Sequence, residues 1–415
     1  SEKGIIEVFN ENFFINLSDY YLMWNIQADG EIIKEGIVWE LNAEPQTKVQ
    51  VPLEGFEIDM SSYHEIFVNV EYRLKQRQPL LEAGYKIAYQ QLELKPYDLF
   101  SCELSVSEKP ISISQTLGYL KVIANDIEYE FSKLTGFIEH IKVCGNDMLE
   151  NGFVLKPNFW RAPTDNDYGV DLQLAFAAWK NPVYKLEKLE INDKGNNKVV
   201  STSYNLSEAG AHLTITYEVS GNGQICINQN LKATTPGQWA EGLFRYGMQL
   251  VMPRQYDRLC FYGKGPGESY FDRNAAQTIG VYRQSVDSQY YPYVRPQETG
   301  NKTELRWWKV INKGGAGLCF HSDKAFSASA LNRLMSDLDD GPDKYIHQSH
   351  GGCVNIRPHT SVQIDALQQG LGGIDSWKSR PKDEYMMKHG DYNFTFVITP
   401  ILSDNYKGSY KRINL

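Results

Sequence analysis

The chain has 415 residues, a formal net charge of -9, 22% charged and 13% aromatic residues, with 26 Tyr and 8 Trp. At roughly 100–200 residues per domain, this length predicts two or three domains with enough chain to bury a substantial core. The acidic balance and the lack of any Lys/Arg patch argue against nucleic acid as partner, and no apolar run approaches the roughly 18–20 residues of a membrane span. The N-terminal "SEKGIIEVFN" lacks the apolar core of a signal peptide, so a soluble protein of the cytoplasm or periplasm is expected. The chain opens at Ser1 rather than Met, which fits a piece of something longer. Cys102, Cys144, Cys226, Cys260, Cys319 and Cys353 are widely spaced and fall mostly in apolar, strand-like runs; they read as buried thiols and leave the redox compartment open.

In chain order, the pattern is mostly of period two with turn signals between short runs. In "YLMWNIQADGEIIKEGIV", Asp29-Gly30 divides two apolar stretches as a tight hairpin does. Residues 1–100 read as one sandwich of about seven short strands, ending near "YKIAYQQLELKP", where Tyr85, Ile87 and Tyr89 alternate with polar positions. The Ser/Pro-richer stretch around "SCELSVSEKPISISQ" makes residues 101–116 a linker. Residues 117–415 hold too many strands for a small sandwich and no repeat of 20–50 residues, which predicts a large antiparallel sandwich. "DLQLAFAAW" has helical spacing, with Leu172, Phe176 and Trp179 on one face, and "ALNRLMSDL" shows it weakly. "LTITYEVSGNGQICINQNL" turns at Gly221-Asn222-Gly223, and "KVINKGGAGLCFHS" at Gly314-Gly315. The fold class is therefore all-β with one or two helical excursions.

Several catalytic templates are missing: strands alternating with helices as in a barrel enzyme, a phosphate loop, a Rossmann fingerprint, a "GxSxG" elbow and "HExxH". "HQSHGGCVNIRPH" offers His347, His350, Cys353 and His359, but its strand-like "CVNIRP" sends alternate side chains to opposite faces; it reads as ordinary strand and turn, and no metal site is assigned. The loop "NFWRAPTDNDYG" (158–169) carries Asp165 and Asp167. Glycoside hydrolysis uses paired carboxylates, yet Asp and Asn in such runs commonly cap their own backbone, and Arg161 offers a partner to either acid. A structural corner is the favoured reading. In "GPGESYFDR", Glu268, Asp272 and Arg273 read as ion-pair partners that pin a loop; "RPQETGNKTELRWW" similarly carries Arg295, Glu298 and Arg306.

"NFWRAPTDNDYG", "FYGKGPGESYFDRNAAQTIGVY", "YYPYVRPQETGNKTELRWWKV" and "QQGLGGIDSW" resemble, in this order and at similar spacing, the C-terminal portion of the large β-galactosidases of glycoside hydrolase family 2. Residues 1–100 resemble that family's second immunoglobulin-like domain. The resemblance implies a final supersandwich domain like the galactose mutarotase fold. It also implies that the catalytic glutamates sit on a (β/α)8 barrel preceding this region, so no catalytic residue is assigned here; Glu11 in "VFNENFF" is not mapped to one. By motif, Trp377 corresponds to the tryptophan that packs on the sugar in the leaving-group subsite; without the resemblance it reads as a packed loop aromatic. The implied partners are the barrel of the same polypeptide and a galactoside substrate, the parent being a homo-oligomer. The family often uses Mg and Na, at sites not mapped onto this chain, and no cofactor is expected in the fragment. Two other readings remain: an autonomous carbohydrate-binding protein, and a mutarotase-like epimerase whose only candidate bases are His347, His350 and His359.

Overall fold

The computed structural model describes residues 4–341, 344–347, 349–375 and 378–402. The chain forms two compact units, Ser1–Leu99 with Ile279–Val281, and Phe100–Thr278 with Tyr282–Leu415.

The first unit contains β1 (Ile5–Phe9), β2 (Tyr20–Ala28), β3 (Glu31–Val38), β4 (Lys48–Pro52), β5 (Ile66–Leu74) and β6 (Lys86–Lys95). They form a two-stranded sheet, β1-β4, and a four-stranded sheet, β3-β2-β5-β6, with antiparallel neighbours. Asp29 and Gly30 both take positive φ, 49° and 85°, as a tight hairpin whose twist matches its strands requires, and Ala28 pairs Glu31 across it. Leu22, Trp24 and Ile26 alternate inward from β2 onto Val68 and Val70 of β5. Among the described residues of this unit the strands number six rather than about seven. Tyr85, Ile87 and Tyr89 are exposed: period two identifies a pleat without saying which of its faces is covered.

The second unit opens with β7 (Ile111–Gln115), β8 (Tyr119–Ala124), β9 (Ile127–Ser132), β10 (Ile138–Val143) and β11 (Asn146–Asp147), which form a five-stranded sheet. β7 lies inside the stretch read as linker, where Ile111 and Ile113 pack on the core. The larger sheet has 12 strands: β12 (Lys156–Asn158), β13 (Lys185–Lys194), β14 (Asn197–Leu206), β15 (Ala211–Val219), β16 (Ile225–Ala233), β17 (Arg245–Pro253), β18 (Arg258–Gly265), β19 (Thr278–Ser285), β20 (Lys302–Ile311), β21 (Gly317–Leu331), β22 (His359–Gln368) and β23 (Tyr392–Ile401). Its main path runs β12-β17-β22-β21-β23-β16-β15-β14-β13, and β20 leaves β21 to carry β18 and β19. Side chains of both sheets share one core; Phe131 of β9 meets Tyr217 of β15 edge-to-face at 5.1 Å. This is the large antiparallel sandwich expected.

The β15–β16 hairpin turns at Gly223, whose φ is +85° and whose Cβ, if present, would meet Ile127 Cδ1 at 2.2 Å; only glycine fits there. The helical excursions are short: α1 (Asp165–Gly169), α2 (Leu172–Ala175), α3 (Met335–Leu338) and α4 (Lys344–His347). In "DLQLAFAAW", α2 gives way to a 3-10 turn over Ala177–Trp179 because Phe176, with φ -109° and ψ 10°, leaves the helical region.

Candidate functional site: four loops around Arg161

β12 ends at Asn158, whose side chain accepts from Trp160 N (3.0 Å) and donates to Gln363 (2.7 Å). That turn carries Phe159, Trp160 and Arg161 into the interior, where all three are buried. Trp160 Nε1 donates to Asp339 (2.9 Å). The guanidinium of Arg161 takes Asp167 in a fork, Nε to Oδ2 at 3.2 Å and Nη2 to Oδ1 and Oδ2 at 2.8 and 2.9 Å. Such a bidentate pair fixes direction as well as distance. Asp167 also serves as the third residue of a capping box: Thr164 Oγ1 accepts from Asp167 N (3.2 Å), and Asp167 Oδ2 accepts from Thr164 N (2.8 Å). Asp165 stands apart, exposed and paired with the buried Lys344 at 3.2 Å. The two acids singled out by spacing thus have separate cationic partners.

The other motif loops converge on this one. Glu298 N donates to Ala162 O (3.1 Å), and Asp165 N to Gln297 Oε1 (3.4 Å). Glu268 binds Arg273 and the Tyr293 hydroxyl through Oε1, and accepts from Gly300 N through Oε2 (2.8 Å). The expected pair of Glu268 and Arg273 therefore forms. Asp272 instead spends Oδ2 on the backbone N–H of Gly372 at 2.9 Å. Glu298 meets Arg245 Nη2 at 3.2 Å, and Asp365 lies 3.7 Å from Arg245 Nε; all three are buried. Burial pushes the Asp365 carboxyl up to about 7, Arg245 pulls it down, and Glu298 adds to the rise. Arg306 Nη1 donates to Glu304 O (2.6 Å) and its guanidinium lies over the Tyr262 ring. Arg295, half-buried, accepts at its carbonyl from Gln297 Nε2 (3.3 Å). A groove of about 560 Å³ runs beside these loops, lined by Glu268, Phe271, Asp272, Arg273, Asn274 and Tyr385 among others.

The "QQGLGGIDSW" segment is held by the other loops through its backbone. Arg161 Nη1 donates to Gln369 O (2.5 Å) and Nη2 to Gly370 O (3.1 Å); Asn166 Nδ2 donates to Leu371 O (3.0 Å). Gly372 and Gly373 follow with φ of +73° and +85°, and Ile374 is 63% exposed. Ser376 and Trp377 lie outside the described residues. His347 ends α4, His350 is exposed before a short 3-10 turn that includes Cys353, and His359 opens β22 with its ring against Phe153. Among the described residues, no group of three His, Cys, Asp or Glu is arranged to hold a metal ion.

Residues 123–398 match the family model described as Beta galactosidase small chain, and residues 6–95 match Beta-galactosidase, domain 4. The chain belongs to the β-galactosidase small-chain family. It is 27% identical over 403 residues to a β-galactosidase of Priestia megaterium and 28% identical over 407 residues to one of Lactobacillus delbrueckii subsp. bulgaricus. These alignments cover 96% and 97% of this chain but only 38% of each relative. Among solved structures, a galactose mutarotase related enzyme from Lactobacillus acidophilus aligns with a TM-score of 0.36 at 10% identity, covering 71% of this chain and 98% of that one.

Within the small-chain domain, motif reading passes over Arg245 and Asp365, which are isolated charges in the apolar strands β17 and β22. The sequence carries no signal for them: in "VQIDALQ" Asp365 falls on the polar phase of the alternation, opposite Val362 and Ile364, and is buried only because the other face of β22 is covered as well. Thr164 is also missed, although "TDND" carries the Thr-x-x-acid spacing of a capping box.

Proposed function

We propose that this chain is the C-terminal, non-barrel region of a retaining β-galactosidase, which hydrolyses terminal β-D-galactosides on a (β/α)8 barrel elsewhere in the same polypeptide. The observation that carries this reading is coverage: relatives named β-galactosidase align along nearly all of this chain yet over 38% of their own length. Retaining hydrolysis needs two carboxylates about 5–5.5 Å apart, one to attack and one to exchange protons. The motif-loop acids have other engagements. Asp167 fills the Arg161 fork, Glu298 meets Arg245, and Glu268 binds Arg273, Tyr293 and Gly300 N. In this reading the region supports the barrel and lends it Trp377, whose indole packs on the apolar C–H face of the leaving sugar.

Purified residues 1–415 are expected to leave a chromogenic β-galactoside uncleaved; turnover that persists through further purification and tracks with the chain overturns the reading. In the full-length enzyme, Trp377→Ala should weaken lactose binding by about five- to 150-fold, the cost of truncating a well-packed contact aromatic. The loss should appear in KM, because stacking on the leaving sugar acts on ground and transition states alike. Inhibition by free galactose should hold at its wild-type value.

A further inference from the structure

The six cysteines are free thiols: Cys260 and Cys319 are buried, Cys144 and Cys353 exposed, and Cys102 and Cys226 half-buried. The last two lie together although they are far apart in sequence. Cys226 sits in β16, where Ile225 and Ile227 point into the core and its own side chain takes the opposite face of the sheet. There it is registered with Glu218 of β15 and Val397 of β23. Cys102 follows Phe100, with which the second unit begins, in a stretch of irregular backbone that runs up to β7. This stretch lies along the same strands, with Ser105 N donating to Gln224 Oε1 next to β16 (3.0 Å). The single S–H of Cys102 faces two acceptors, Thr395 O of β23 at 3.5 Å and the sulfur of Cys226. The contact with Cys102 holds the Cys226 thiol below its usual range, helped by Lys194 against burial and the Glu218 and Asp323 carboxylates. The same contact, together with burial, pushes the Cys102 thiol up. One sulfur is thus poised as thiolate with a protonated neighbour against it, the asymmetry by which dithiol motifs attack and then resolve.

We propose that Cys102 and Cys226 form an oxidisable pair, a modification site for small organic disulfides whose end product is a Cys102–Cys226 bond fastening the stretch before β7 to the sheet. The Cys226 thiolate attacks one sulfur of the reagent RSSR, forms a mixed disulfide and releases RS⁻. Cys102 then gives up its proton and attacks Cys226 Sγ, expelling the second RS⁻. Two protein thiols are oxidised, one RSSR is reduced, and the two protons of the pair end on two RSH. Because the second sulfur is already in contact, the closing step runs at an effective concentration on the order of mM or higher. That is far above the RSH released by a dilute protein, so the mixed disulfide does not accumulate.

The test treats the full-length enzyme, reduced and then freed of reductant, with 2-hydroxyethyl disulfide, alkylates the remaining thiols and maps the peptides by mass spectrometry. The wild type should lose both thiols together and yield a peptide pair joined through Cys102 and Cys226, while the exposed Cys353 ends as a mixed disulfide with the reagent. Cys102→Ser keeps a hydroxyl donor beside Cys226 but no resolving sulfur, so Cys226 should then retain the reagent. Cys226→Ser should slow modification of Cys102 about tenfold, because the thiol left behind is the protonated one. The wild-type result stands without the variants, should either fail to fold. If Cys353 is modified while Cys102 and Cys226 both stay open to alkylation, the pair is overturned. It is equally overturned if Cys226 of the wild type retains the reagent as it does in Cys102→Ser, or if Cys102 reacts as fast in Cys226→Ser as in the wild type.

Discussion

Removing the Arg161 side chain is the most demanding test of the buried corner. In Arg161→Ala, the Asp167 carboxylate loses three charge-assisted hydrogen bonds and keeps only the capping contact from Thr164 N, while Gln369 O and Gly370 O lose their guanidinium donors. Arg161 and Asp167 have side chains 0% and 1% exposed, so water does not replace what is lost. Breaking a buried pair by deleting one partner costs about 3–5 kcal/mol. Each orphaned carbonyl costs about 1–3 kcal/mol on its own, but groups sharing one partner do not add independently, so about 3–5 kcal/mol is the expected loss. With a urea slope near 3 kcal/mol/M, the midpoint should fall by about 1–1.7 M. The probe is tryptophan fluorescence, since Trp160 and Trp179 are buried beside the corner and Trp308 lies in the core of the same unit. Arg161→Lys should retain the charge but lose the fork, and so recover only part of the stability. Adding Asp167→Asn to Arg161→Ala should also recover part of it, because the stranded carboxylate is then neutral. A midpoint shift worth under about 1 kcal/mol, the value for an exposed pair, would refute the buried-pair argument.

The all-β class was legible because its determinants are local. Asp29-Gly30 and Gly221-Asn222-Gly223 announce turns through residues that tolerate positive φ, and alternating runs on either side become the paired strands. Sheet order was not legible. β21 pairs with β20, β22 and β23 along different parts of its length, and β17 is flanked by β12 and β22; such pairings are set by packing across long sequence separations, of which periodicity carries no trace. Helical spacing was right about burial and wrong about length. Leu172, Phe176 and Trp179 are all buried, but side-chain spacing does not reveal that Phe176 breaks the helix. The corner shows the same division: "RAPTDND" contains the charges and the cap, yet only the folded chain selects Asp167 for Arg161 and sends Asp165 to Lys344. Asp272 illustrates the harder case, an acid next to an arginine in sequence whose partner is a backbone N–H a hundred positions away.

Two further pairs of substitutions test the close packing and the buried titrations. Gly247→Ala should cost more than about 3 kcal/mol, the upper end for overpacking, because a Cβ would lie 2.2 Å from Ile364 O and 2.3 Å from Asp365 Oδ1; Gly118→Ala, with nothing within 4 Å, should stay within about 0.5 kcal/mol. A common melting temperature for the two would contradict this. The pH dependence of stability should contain two opposed contributions. Burial lowers His321 from 6.5 to about 4, so between those values the unfolded chain holds a proton that the fold does not, and this site loses stability as pH falls. Burial raises Asp365 from 3.8 to about 7, so in that window the fold holds the extra proton, and this site gains stability as pH falls. A tenfold difference in proton affinity between the folded and unfolded chain is worth about 1.4 kcal/mol, so each contribution is of order 3 kcal/mol and they largely offset one another. His321→Gln should therefore make the chain relatively more stable at pH 4.5 than at pH 7, and Asp365→Asn should tilt it the other way. Urea midpoints at the two pH values, compared within each variant, remove the intrinsic cost of the substitution. If both variants keep the wild-type difference between the two pH values, neither group holds the protonation state that its burial dictates.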